Sequence, residues 1–174
     1  VAAIIAYLIL TLHLADSPWA SFDAARFHSM AEAIIAGLAP YVDYVDPKPP
    51  LLYFAVALMD LIAPAGSIDI PVMAGLNVAS ALLIWRIGRE DYGSAAGYFS
   101  GLLFLVASVF VQGYFLFAEQ FGVLFLLCAY ISARKSNYAL AGLFVGLAVG
   151  FKQYAALALI PLLYLMHARG ERRY

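Results

Sequence analysis

Four residues in this chain have the types and settings to do chemistry: Asp23, Lys48, Glu119 and Lys152. A carboxylate can take a proton from a nucleophile. A lysine beside the N–H groups of a helix start can hold an anion. Asp23 and Lys48 lie in the longest polar-bearing interval of an otherwise apolar sequence, FDAARFHSMAEAIIAGLAPYVDYVDPKPPLLYF at 22–54. Phe27, Met30, Ile34 and Leu38 recur there at three- and four-residue spacing and form one stripe. Asp23 falls on that stripe, not on the polar face. The pattern supports two readings: a carboxylate at the buried edge of an interfacial helix, or an acid that favours the dipole of a first helical turn. Lys48 directly precedes Pro49–Pro50, which suit the first turn of a helix. A cation there opposes the dipole unless an anion sits between it and the first free N–H groups, those of Leu51 and Leu52. At a membrane surface that anion is a lipid phosphate; the alternative is a lysine that snorkels to headgroups.

Around these two lie residues that could support them. Arg26 is one turn from Asp23. Asp43 and Asp46 read as solvated loop acids, and either can pair with Arg26 or Lys48. Tyr41, Tyr44 and Tyr53 fit an interfacial aromatic belt. Glu119 and Lys152 each interrupt a long apolar stretch. An ion at a span centre is costly, so both mark span ends at a water-accessible surface.

The elements that must position these groups follow from composition. Of 174 residues, 65% are hydrophobic and 12% charged. A globular domain is about half apolar and a quarter charged, so the fold class is all-α, polytopic and transmembrane. A net charge of −1 leaves no nucleic-acid footprint. The lone Cys128 cannot make an intrachain disulfide. His13, His28 and His167 are scattered, and no metal-ligand spacing occurs. Phosphate loops and nucleophile elbows are absent too.

Apolar runs fall at 1–15, 49–63, 70–87, 94–112, 115–133, 138–151 and 153–167. A span needs about 20 residues. The run at 49–63 is short, carries Asp60 and is fenced by prolines, so it reads as an interfacial helix. With the basic clusters Arg86/Arg89, Arg134/Lys135 and Arg169/Arg172/Arg173 in the cytoplasm, the remaining charges gather on the extracytoplasmic side. The expectation is about six spans: 1–15 first, five more in 69–174, and between them a loop, 16–68, carrying two interfacial helices. Ser17 or Ser21 would cap the first of these, near Pro18, and Gly37 and Pro40 would close it. Val1 lies already inside an apolar run, so the chain reads as the N-terminal portion of a longer protein.

Four places together carry a resemblance. They are Asp23-Ala24-Ala25-Arg26-Phe27; Gly37-Leu38-Ala39-Pro40-Tyr41-Val42-Asp43 with Lys48-Pro49-Pro50-Leu51; Tyr114-Phe115-Leu116-Phe117-Ala118-Glu119; and the Gly-rich run Gly142 to Gly150 with Phe151-Lys152. In order and spacing they resemble the N-terminal half of GT-C fold glycosyltransferases, the group that includes protein O-mannosyltransferases and the lipid A aminoarabinose transferase. The resemblance implies an inverting transfer of a sugar from a polyprenyl-phosphate donor to a lipid, glycan or protein acceptor. Asp23 would be the catalytic base and Glu119 the second acid. Lys48, Lys152 and Arg26 would bind the donor phosphate, with Asp43, Asp46 and Tyr41 in support. It also implies an integral protein of a prokaryotic plasma membrane, active on the extracytoplasmic face. Two positions depart from the family: Ala24 follows Asp23 where many relatives have Glu, and Pro47 precedes Lys48 where some have an acid. The second departure leaves a divalent cation an open question; no other cofactor is implied. Two other classes compete: a polyprenyl-lipid-binding or flippase-like subunit, which would keep the lysines and need no Asp23, and an ion-coupled transporter, which would place acids mid-span in repeated broken helices.

Overall fold

The computed structural model describes residues 1–14, 22–111 and 113–170, with side chains described to His167. The expected caps Ser17 and Ser21, Pro18, and the basic residues Arg172 and Arg173 lie outside the described residues. Within them the chain is all helical: α1 Ala2–Leu14, α2 Phe22–Ile35, α3 Pro50–Ile62, α4 Asp69–Tyr92, α5 Ser94–Phe110, α6 Ala118–Arg134, α7 Tyr138–Phe151 and α8 Leu159–Gly170. A 3-10 turn, Gln153–Ala158, joins the last two. Each apolar run up to residue 151 has become one helix, and the run 153–167 is the 3-10 turn followed by α8. Among the described residues only α4, at 24 residues, is long and apolar enough to cross a bilayer by itself; α1, α3, α5, α7 and the segment Gln153–His167 are apolar but shorter.

Successive helices pair: α2 with α3, α4 with α5, α6 with α7. Local chemistry sets the turns between them. Gly37 closes α2 at φ +86, a backbone that glycine adopts without strain. Gly93, at φ +93, is the single residue between α4 and α5. Asn137 caps α7, its Oδ1 accepting from the Leu140 N–H at 3.2 Å.

Ion pairs distinguish the two ends of the bundle. Arg134 at the end of α6 meets Asp91 near the end of α4, at 2.7 Å. Arg86 and Arg89 lie on that last stretch of α4, so two of the basic clusters share an end. Asp69, at the start of α4, is held by His28 of α2, so the loop helices sit at the other end.

Two expectations need correction. Leu38 was placed on the α2 stripe, but the helix stops at Ile35 and Leu38 is exposed beyond the turn. Tyr53 was placed in an interfacial belt, yet it is fully buried between α2 and α3, tilted against Phe27 at 6.3 Å.

α4 and α5 approach most closely at glycine. A Cβ on Gly97 would lie 2.5 Å from the Trp85 carbonyl oxygen and 2.7 Å from the Arg89 nitrogen, both backbone. Small residues let helix backbones meet in this way. Gly97→Ala must therefore push the pair apart, and we expect a loss of about 1–3 kcal/mol, as for other overpacked interiors. Thermal unfolding in detergent measures it. Gly142→Ala is the control: its Cβ meets open space.

Candidate active site

α2 presents Asp23 in its first turn, then Arg26 and Phe27. The helix is fixed by its apolar face: Phe27 and Ala31 are fully buried, and Ala24, Met30 and Ile34 pack beside them. Lys48 arrives from the loop before α3. Its Nζ lies 3.4 Å from Asp23 Oδ2 and 4.3 Å above the centre of the Phe27 ring, within cation–π reach. The side chain is 17% exposed, so this lysine does not snorkel outward. Asp23 is 40% exposed.

The loop that delivers Lys48 is built on side-chain bonds. Asp43 Oδ2 accepts from the Ala39 N–H at 2.7 Å, an ordinary turn contact by an exposed acid. Tyr41, with a left-handed backbone at φ +66, donates its hydroxyl proton to the Lys48 carbonyl. Asp46 differs from expectation. It is not solvated but 3% exposed, because three donors converge on it. Arg26 pairs with Oδ2, the Tyr53 hydroxyl donates to Oδ1, and the Lys48 N–H donates to Oδ1 at 3.0 Å. Burial, and then the Asp46 bond, push the Tyr53 hydroxyl well above the usual phenol range, so it stays a donor. Arg26, expected at the phosphate, is thus engaged by Asp46.

The second half of the site comes from α6 and α7. Glu119 lies in the first turn of α6. Lys152 follows α7 in extended conformation, and its Nζ reaches Glu119 Oε1 at 2.6 Å. Gln153 Nε2 then donates to the Pro47 carbonyl at 3.5 Å, which brings the Lys152 strand beside the Lys48 loop. Below this contact the Gly150 backbone leaves room for Leu51. Phe151 stacks on Phe121 at 4.5 Å and 4°. One buried cluster, with Phe27, Leu52, Tyr53, Leu116, Phe121 and Phe151, therefore underlies both lysine–carboxylate pairs. Glu119 also borders a cavity of about 180 Å³, where the Asn77, Ser108 and Gln120 side chains supply polar atoms.

Asp46 is the acid nearest in sequence to Lys48; its Oδ1 accepts from the Tyr53 hydroxyl and the Lys48 N–H, and its Oδ2 is ion-paired with Arg26. Among the described residues no group of three His, Cys, Asp or Glu side chains converges well enough to hold a metal ion. The described residues at this site therefore do not offer the clustered donors that a divalent cation needs.

Sequence reasoning missed one constellation. His28 of α2 bridges Asp60 near the end of α3 and Asp69 at the start of α4. The available signal was Asp60 itself: an acid within an apolar run needs a partner.

A model of the dolichyl-phosphate-mannose-protein mannosyltransferase family matches residues 47–174. The chain belongs to that family. No curated protein and no solved structure matches it. The dolichyl-phosphate-mannose-protein mannosyltransferase family consists of membrane glycosyltransferases of mannosyltransferase type, whose partners in general are a lipid-linked sugar phosphate and an acceptor. The matched range takes in Lys48, Glu119 and Lys152. Asp23, Arg26, Tyr41, Asp43 and Asp46 precede it and join it through the contacts above.

Proposed function

We propose that this chain forms the catalytic end of an inverting glycosyltransferase. It moves a sugar from a polyprenyl-phosphate donor to an acceptor hydroxyl on the extracytoplasmic face of a prokaryotic plasma membrane. The observation that carries this reading is the Lys48–Asp23 pair at 3.4 Å, tied through Gln153 and Pro47 to the Lys152–Glu119 pair. A separation of 3.4 Å leaves no room for a sugar carbon between base and cation. The donor phosphate must draw Lys48 away from Asp23, and that same event frees a carboxylate to act as base.

The acceptor oxygen then attacks the anomeric carbon while its proton passes to Asp23. The bond from that carbon to the phosphate oxygen breaks, and polyprenyl phosphate leaves with the electron pair. Its charge grows as it leaves, and Lys48 and Lys152 stabilise the increase. Glu119 orients a hydroxyl of the donor or acceptor beside the 180 Å³ cavity. Arg26, with Asp46, Tyr41 and Asp43, acts through the loop they hold.

In this reading 1–15 is the first span, 16–68 the extracytoplasmic loop with α2 and α3 at the interface, and 69–174 carries five more spans. Helices shorter than about 20 residues would cross with extended or 3-10 segments at their ends. Cysteines at positions 43 and 119 should both be labelled by an impermeant reagent from the outer side; opposite sides would sink the topology.

The function is tested with the full-length protein in vesicles and radiolabelled sugars on polyprenyl phosphate. Transfer to an endogenous acceptor extract is expected. Donor binding without transfer would return the flippase-like reading.

A further inference from the structure

Outside the lysine–carboxylate pairs, one buried ionisable cluster has no task in the reaction above. His28 Nδ1 lies 2.9 Å from both Asp60 oxygens, and its Nε2 lies 2.8 Å from Asp69 Oδ2. The side chains are 12%, 6% and 11% exposed, in the order His28, Asp60, Asp69. The backbone of Gly66 passes beside the ring. Three elements meet there: α2 with the ring, α3 with Asp60, and α4 with Asp69. The connecting segment, residues 63–68, has no ionisable side chain. The other ionisable group on this part of α2, Glu32, is exposed.

With both acids ionised, donor counting favours a charged ring. A neutral imidazole has one N–H and one bare nitrogen. Both ring nitrogens here face carboxylates at hydrogen-bond distance. If the ring were neutral, one acid would face a lone pair in a poorly solvated site. The imidazolium supplies both donors.

We propose that His28 is a positioning residue, held as an imidazolium that locks α2 onto α3 and α4 and so sets Asp23 and Phe27 against Lys48. His28 follows Phe27 directly and stands five residues after Asp23 in the same helix. Any loosening of this lock rotates or lifts the surface that carries the base and the cation's ring. The consequence for activity rests on the transferase reading; the lock itself does not.

The lock has a defined pH window. Burial pulls the ring's pKa down, but hydrogen bonds and charge from Asp60 and Asp69 outweigh it, so the pKa stands above the ordinary 6.5. A raised folded value means the lock's stabilisation is fully present below 6.5 and is lost as pH rises through the folded value. Asp69 is the partner that lets go, since its Oδ1 is already buried without a donor among the described residues.

The experiment uses the full protein in lipid nanodiscs with ¹⁵N-labelled histidine. Both His28 ring nitrogens should be protonated below a midpoint that lies above 6.5. Thermal stability and kcat should fall together through that midpoint. Asp69→Asn should lower the midpoint by about one pH unit, a tenfold change in proton affinity. His28→Gln should lower kcat about ten- to a hundredfold, as a misplaced group does, and should erase the alkaline limb of the pH profile. A titration midpoint at or below 6.5 overturns the proposal, as does a pH profile for His28→Gln that matches wild type. If His28→Gln fails to accumulate, an Asp69→Asn midpoint equal to wild type overturns it instead. A protein that transfers no sugar at any pH defeats the transferase reading, while the nitrogen resonances still judge the lock.

Discussion

Asp23→Asn should lower the rate of sugar transfer by about 10²–10⁴-fold, the usual contribution of a positioned base. The substitution keeps the side chain's shape and removes its ability to take a proton. It also removes the negative partner of Lys48, which lies 3.4 Å away in the resting site. The lysine then no longer has to leave a carboxylate to meet a phosphate. Donor affinity should therefore stay level or tighten while kcat collapses. That split is the useful part of the measurement: loss of a merely structural acid would weaken binding and turnover together. Single-turnover transfer of a radiolabelled sugar, with donor binding measured separately, gives both numbers. Transfer at the wild-type rate would end the assignment of Asp23 as base. Glu32→Gln is the control: Glu32 is exposed on the same helix and has no part in the site, so its loss should move the rate little.

The largest stability effect is expected at Asp46. Its carboxylate is buried and accepts from Arg26, Tyr53 and the Lys48 backbone. Asp46→Ala strips all three donors at once. A buried donor left without a partner costs about 1–3 kcal/mol, and breaking a buried ion pair costs about 3–5 kcal/mol. Arg26 is 39% exposed and can turn to water, so we expect the lower end, about 3 kcal/mol. Tyr53→Phe removes one of the three bonds and should cost about 1 kcal/mol. Because Lys48 hangs on Asp46 through its own N–H, the variant should also lose donor binding. Thermal unfolding in detergent and a donor-binding isotherm test the two parts. A variant as stable as wild type would mean that the three donors find water when the acid is gone.

The helices were legible because apolar runs and turn residues agree. The expected loop helix at 22–37 is α2, ending at Ile35 and closed by Gly37; the expected helix at 49–63 is α3, Pro50–Ile62. The interior of the loop was less legible. Asp46 and Asp43 look alike in sequence, each a loop acid near a tyrosine. One is buried and the other exposed, and the difference lies in Arg26 and Tyr53, which arrive from two separate helices. Periodicity cannot see a convergence of that kind. Lys48 shows the same limit: its place before two prolines suggested an anion at the helix start, whereas its ammonium rests on Phe27 and Asp23. His28 was passed over as a scattered histidine because its partners lie on two other elements. The Gly-rich run before Lys152 was visible as a pattern, but only Gly150 of its glycines meets a neighbour, the side chain of Leu51.

That contact has a consequence for how the protein is made. Roughly a hundred residues separate Leu51 from Gly150, and a ribosome adding about 5–20 residues per second needs about 5–20 s to cover them. During that interval the loop and its charged side chains have already left the ribosome, while the α7 surface that covers them does not exist. The early half of the site waits at the membrane for its lid of Phe151 and Gln153. A translocation partner that shields apolar loop helices would be needed most in those seconds, and synthesis stalled before α7 would leave the half-built site exposed.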